Sequence, residues 1–207
     1  MSVTTDDCRG NASAQRLGIL GGTFNPITIA HLVIAEQVSE VRRLDKVLFV
    51  PARVPPHKSA SDVAPAMDRY HMTVLGTQSN PRFEVSRIEL DRPGKSFTKD
   101  TLQELLDMYP GTELFYIIGS DAVAELSTWR EPELVLKLAR FLVVARPGYD
   151  LSQLEDRYKK SVDIVPVVGL DISSSEIRER VRQGRSIKYF VPEKVEEYIQ
   201  EKGLYAK

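Results

Sequence analysis

Residues 21–31 read Gly21-Gly22-Thr23-Phe24-Asn25-Pro26-Ile27-Thr28-Ile29-Ala30-His31. They follow the apolar run Leu17-Gly18-Ile19-Leu20 and lead into Leu32-Val33-Ile34-Ala35-Glu36-Gln37-Val38. The pattern predicts a buried strand, a tight glycine turn, and a helix whose first turn carries a hydroxyl and an imidazole. Glycines at such a junction let backbone N–H groups approach an anion closely, and a helix N-terminus adds favourable partial charge. Phosphate, carried by a nucleotide, suits this chemistry.

On both sides of this stretch, short apolar strands alternate with amphipathic segments. Strands are expected at 17–21, 46–51, 82–87, 113–118, 141–145 and 162–167. Helices are expected near 29–42, 66–79, 97–109, 120–138 (with Pro132 as a point of breakage), 151–159, 174–182 and 192–202. Tyr116-Ile117-Ile118 and Phe141-Leu142-Val143-Val144 are continuous apolar runs, as strands covered on both faces require. The alternation argues for an α/β fold with a doubly wound parallel sheet. In such sheets ligands bind beyond the carboxyl ends of the strands, near the switch point. Gly21-Gly22, Pro51-Ala52, Gly119-Ser120-Asp121 and Arg146-Pro147 all follow strands and are expected to share that edge. Segment 52–65, with Pro55, Pro56 and Pro65, reads as a mobile loop over it.

Composition narrows the class. The chain has 207 residues, 42% hydrophobic and 28% charged, a soluble globular balance with room for one sizeable core. Its net charge of −1 provides no global field for nucleic acid or an anionic membrane. Cys8 is the single cysteine, so no intrachain disulfide forms, and the cytoplasm is the expected location. Residues 1–16 are polar and lack the apolar region of a secretory signal; they read as a disordered N-terminal tail, with 17–207 as a single domain.

Two motifs mislead. Gly94-Lys95-Ser96 resembles the end of a P-loop, but Glu89 stands where the first glycine is needed. The first turn lacks the G-x-G-x-x-G spacing, so a redox dinucleotide site is not supported.

Thr28 and His31 are three apart and share a helix face. A lone histidine there reads as a satisfied helix-terminal residue; after Gly-Gly-Thr-Phe it reads as a donor to phosphate oxygens. Asp171-Ile172-Ser173-Ser174-Ser175-Glu176-Ile177-Arg178 holds capping-box spacing between Ser173 and Glu176. One cap needs one hydroxyl, however, and three serines with Arg178 can line a phosphate pocket. Lys58, in Pro55-Pro56-His57-Lys58, is either solvated or brought by its loop to a triphosphate. Asp121 serves either as a helix cap or as a ribose acceptor. Trp129, the single tryptophan, either fills the core or stacks on a flat heterocycle.

These pieces together resemble the bacterial nicotinate-nucleotide adenylyltransferases. The first turn with Thr28-Ile29-Ala30-His31, and Ile172 through Arg178, are similar to the two signatures of the nucleotidyltransferase superfamily. The narrower likeness rests on Pro55-Pro56-His57-Lys58, Ser96-Phe97-Thr98-Lys99-Asp100-Thr101-Leu102, Gly119-Ser120-Asp121, Thr128-Trp129, and the ending from Tyr189-Phe190-Val191-Pro192 through Tyr198-Ile199 to Leu204-Tyr205. It runs from about residue 17 to the C-terminus. Thr28 stands where many relatives have a first histidine, Ala30 for glycine, Phe97 for tyrosine and Ser175 for threonine.

The resemblance implies a Rossmann-like nucleotidyltransferase fold and adenylyl transfer from ATP to nicotinate mononucleotide, giving deamido-NAD and pyrophosphate. His31, Lys58 and Arg178 are implied to be catalytic. Gly22, Thr23, Phe24, Thr28, Gly119, Asp121, Arg146, Ile172, Ser173 and Ser174 are implied to bind ATP. Thr98 and Trp129 are implied to hold the nicotinate ring, its carboxylate meeting amides at Thr98 and Arg130. Mg²⁺ is expected to enter with ATP, with no metal site of the protein's own. The expected partners are these two nucleotides, without nucleic acid or membrane; homo-oligomerisation is left open. Two alternatives stand beside this reading: the same chemistry on nicotinamide mononucleotide, phosphopantetheine or a cytidylyl substrate, and a nucleotide-binding regulatory module without catalysis.

Overall fold

The computed structural model describes residues 15–55, 63–145 and 156–206. The tail expected at 1–16 lies outside them up to residue 14, and Arg16 already belongs to the first strand. In chain order the strands are β1 (Arg16–Gly22), β2 (Lys46–Pro51), β3 (Phe83–Val85), β4 (Glu113–Gly119), β5 (Arg140–Ala145) and β6 (Val162–Pro166). The helices are α1 (Ile29–Arg42), α2 (Ala66–Thr77), α3 (Ile88–Asp91), α4 (Thr98–Met108), α5 (Ser120–Ala124), α6 (Pro132–Leu138), α7 (Asp156–Lys159), α8 (Ser174–Arg182) and α9 (Glu193–Glu201).

All the strands pair in parallel, in the order β3-β2-β1-β4-β5-β6. The strand period of two divides each central strand between two apolar layers. Leu20, Phe115, Ile117, Leu142 and Val144 pack with α1, α2, α8 and α9 on one face. Leu17, Ile19, Leu114, Ile118, Phe141 and Val143 pack with α4, α5 and α6 on the other. Burial on both faces explains the unbroken apolar runs. Because β1 lies between β2 and β4, the chain reverses direction across the sheet there, and a crevice opens between the two strand ends.

The differences from expectation are local. The helix expected over 120–138 divides into α5, a 3₁₀ turn at Leu126–Thr128, and α6. Pro132 has no N–H to continue a helix but suits the first position of a new one, and Glu131 turns the chain with a φ of 53°. The single turn α3 was not expected; four residues carry no readable period. Of the helix expected at 151–159, residues 151–155 lie outside the described structure.

Arg69 is the largest fully buried side chain among the described residues, 1% exposed. Its Nη1 donates to Thr23 O at 2.7 Å, Nη2 to Arg53 O at 3.0 Å and Nε to Ala64 O at 2.9 Å. One guanidinium thus joins the glycine turn to both ends of the segment after β2. Burial lowers its pKa from the ordinary arginine value, opposed by Tyr205 and Glu89. We expect Arg69→Met to leave these carbonyls without their donor. At about 1–3 kcal/mol for each unsatisfied buried group, at least about 3 kcal/mol of stability is lost. This will be read as a lower urea midpoint at unchanged slope.

Candidate active site

A cavity of about 690 Å³ opens at the carboxyl ends of β1 and β4. Gly21, Gly22 and Thr23 line one wall, His31 stands on its rim, and the loop before α4 and the segment 128–130 form the opposite wall.

The glycines prove to be spaces for aromatic rings. A Cβ at Gly21 would lie 2.7 Å from the Tyr116 hydroxyl, and one at Gly22 would lie 3.0 Å from the Phe24 ring. Phe24 adopts a φ of 47°, is 2% exposed, and meets the His31 ring edge-on at 5.3 Å. The Asn25-Pro26 peptide is cis.

Thr28 caps α1 and is fully buried. Its hydroxyl accepts from the His31 amide at 3.3 Å and lies 2.7 Å from His31 Nδ1. The Thr28 backbone N–H also reaches Nδ1, at 3.1 Å. A backbone N–H can only donate, so Nδ1 carries the lone pair and the neutral ring holds its proton on Nε2. Thr28, expected to touch ATP, has its hydroxyl and amide on the imidazole, which they hold as an Nε2–H donor.

The second signature meets the first across this turn. Ser173 caps α8 by accepting from Glu176 N at 3.1 Å. Ser174 Oγ donates to Pro26 O at 2.8 Å. Arg178 donates from Nη1 to Asn25 O at 3.0 Å and from Nη2 to Ser175 Oγ at 3.3 Å. The three serines therefore have three separate tasks. Half-buried Ile172 packs on the α1-side core.

On the opposite wall, Thr98 begins α4, and its hydroxyl lies 3.5 Å from that of Tyr116. Trp129 stands edge-on to Tyr116 at 6.1 Å and to Phe141 at 6.2 Å; it lines the cavity and is half-buried, packed against the α4-side core. Arg130 lies over the Phe97 ring at 5.1 Å. Gly119 lines the cavity at the end of β4 with open space beyond its Cα. Lys58 and Arg146 lie outside the described residues, as does the Asp121 side chain. Gly22, Thr23, His31, Gly119, Thr98, Trp129 and Arg130 thus share the cavity, while Arg178 and Ser174 brace the turn that forms its wall.

Sequence reading passed over Tyr116 and Glu89. Desolvation pushes the Tyr116 phenol up to about 12, so it remains a neutral hydroxyl at the base of the cleft. A phenol hydroxyl within the apolar run of β4 was the available signal. Glu89 lines the cavity yet is 8% exposed. Thr101 Oγ1 donates to it at 2.7 Å, and Arg92 Nη2 donates to Thr101 Oγ1 at 2.7 Å. Burial raises the Glu89 pKa above the ordinary carboxylate range, against hydrogen bonds from Thr101 and Ser96 and the fields of Arg92 and Arg69. No three His, Cys, Asp or Glu among the described residues stand close enough to cage a metal ion.

The cytidylyltransferase-like family model matches residues 19–180. A probable nicotinate-nucleotide adenylyltransferase of Corynebacterium kroppenstedtii is 49% identical over 191 residues, covering 92% of this chain and 90% of its own. One of Thermus thermophilus is 49% identical over 193 residues, covering 92% of this chain and all of its own. Among solved structures, Plasmodium falciparum nicotinic acid mononucleotide adenylyltransferase complexed with NaAD aligns with a TM-score of 0.77 at 21% identity, over 92% of this chain and 97% of that one. At that identity the structural likeness speaks for the fold.

A carboxyl whose folded pKa is raised binds more protons in the folded state than in the unfolded one. Its contribution to stability therefore falls as pH rises from the ordinary carboxylate range through the raised value. Glu89→Gln removes that term. The melting temperature of the native chain relative to the variant is expected to fall as pH rises through this window; a difference that does not change with pH would contradict the buried charge.

Proposed function

The chain belongs to the nicotinate-nucleotide adenylyltransferase family, and on that premise we propose that it transfers the adenylyl group of ATP to nicotinate mononucleotide, giving deamido-NAD and pyrophosphate in NAD biosynthesis. The observation that carries the reading is one cleft with two chemically different walls. The glycine turn and His31 suit phosphates, and the start of α4 with Trp129 and Arg130 suits a flat, anionic ring.

The nucleophile is the mononucleotide's phosphate. A phosphate monoester has a second pKa of about 6 and is largely ionised near neutrality, so no general base is required. One of its oxygens forms a bond to the α-phosphorus while the bond from that phosphorus to the bridging oxygen breaks, and pyrophosphate leaves with the electron pair. The barrier is electrostatic, because an anion must approach a polyanion. Catalysis therefore rests on in-line positioning and neutralisation of the leaving group.

His31, presenting Nε2–H, donates to phosphate oxygens without needing to change its protonation. The Thr28 pairing supports this role by holding the tautomer. The amides of Gly22, Thr23 and Phe24 meet the nucleotides. Arg178 has guanidinium N–H groups beyond those engaged with Asn25 and Ser175, and we assign these, with the α8 N-terminus, Ser173 and Ser174, to the triphosphate. Lys58 and Arg146 bring further positive charge, Gly119 and Asp121 hold the adenosine, and Ile172 borders the adenine. The family uses a divalent metal with ATP. We take it to be Mg²⁺, held by phosphates and water as part of the substrate.

For the acceptor, the nicotinate carboxylate is placed against the α4 N-terminus, where the Thr98 amide precedes the helix's own hydrogen bonds, and near Arg130. Trp129 supplies a face for the ring. A negative substituent is favoured over a neutral amide at such a wall. No helix among the described residues is long and apolar enough to cross a membrane, and we place the reaction in the cytoplasm.

Mixing the protein with ATP and nicotinate mononucleotide is expected to release pyrophosphate. Silence in that assay would favour the regulatory alternative. Nicotinamide mononucleotide is expected to react with lower kcat/KM, and a preference for it would overturn the acceptor assignment. His31→Ala is expected to lower kcat by about 10²–10³-fold, as for loss of one donor to developing charge, while the melting temperature stays near that of the native chain.

A further inference from the structure

The C-terminal Leu204-Tyr205 resembles the ending of the family's chains, yet no step of the reaction uses it. Tyr205 is held at a φ of 66°, a left-handed conformation that a bulky residue keeps only where its surroundings impose it. Its ring packs on the α1-side core, and its hydroxyl donates to Asn25 Oδ1 at 2.9 Å, across 180 positions of sequence. Asn25 is 1% exposed. The same Oδ1 accepts from Ala64 N–H at 3.1 Å, and the Asn25 carbonyl accepts from Arg178 Nη1 at 3.0 Å.

Asn25 is therefore the point at which the chain terminus, the segment after β2 and α8 all grip the glycine turn. The neighbouring Phe24 is itself left-handed, so the turn rests in an unfavourable backbone region and depends on this grip. The turn carries Thr23 into the cleft and leads directly to the cap that orients His31.

We infer that Tyr205 is a positioning residue for the phosphate-binding turn: its hydroxyl, acting through Asn25, holds the turn in the shape that receives ATP. This rests on the adenylyl-transfer reading. The phenol stays a donor throughout the neutral range, since desolvation raises its pKa well above the ordinary tyrosine value despite Arg178 and Arg69 nearby.

Tyr205→Phe keeps the ring and removes only the hydroxyl. With nicotinate mononucleotide saturating, kcat/KM for ATP is expected to fall about tenfold, as for a small displacement of a binding wall. With ATP saturating, KM for the mononucleotide is expected to stay near its native value, because Thr98 and Trp129 stand on the other wall. In an Asn25→Ala background the same substitution is expected to cost little more, since the group it acts through is gone. Native kinetics in Tyr205→Phe, with loss of melting temperature only in Tyr205→Ala, would reduce Tyr205 to a packing residue and overturn the inference. Additive losses in the double variant would do the same. A native chain that releases no pyrophosphate at all would instead remove the functional reading beneath it.

Discussion

A buried turn of chain must find partners for its backbone carbonyls, and the segment 23–26 cannot find them within itself. Thr23 O is met by Arg69, Asn25 O by Arg178 and Pro26 O by Ser174, three donors from parts of the sequence 46 to 153 positions away. In a planar trans peptide the carbonyl and the following N–H point in opposite directions. Fixing Thr23 O on Arg69 thus turns the Phe24 amide away from that guanidinium. The direction in which the amides of the turn point depends on where its carbonyls are held, as much as on its glycines.

The opposite wall is organised on the same principle around a carboxylate. Glu89 gathers hydroxyls at the entrance to α4, and Ser96 Oγ in turn accepts the Arg53 amide at 3.0 Å. Arg53 O is bonded to Arg69. A continuous run of hydrogen bonds therefore joins the α4 wall to the glycine turn. Both walls are set by one buried polar framework, and under the proposed function that framework couples the spacing of two substrates whose phosphates must meet in line.

Much of the fold was legible because its signal is local. Six strand cores and the spans of α1 and α8 follow from apolar period and, for α8, from Ser173 as a cap; that Thr28 caps α1 appeared only in the structure. The break at Pro132 was visible, but the one-turn α3 had too few residues to show a period. The site was legible as two short motifs with a phosphate-binding pattern. Their internal division of labour was not. Ser173, Ser174 and Ser175 are equivalent as letters, and become a cap, a strut and an acceptor only once α8 lies against the first turn. Glu89 looked like the residue that spoils a P-loop, and Tyr116 like one more strand aromatic.

By itself the sequence determined the class of fold, the sheet edge at which the cavity opens, and the family, because periodicity, caps and signature spacings are properties of neighbouring residues. Only the tertiary structure decided that Gly21 makes room for Tyr116, that Thr28 serves His31, and that Asn25 is held from the far end of the chain. Those are contacts between residues far apart along the chain. A buried donor or acceptor must be satisfied by whichever group the packing brings within hydrogen-bond distance, and separation in sequence carries no record of that choice.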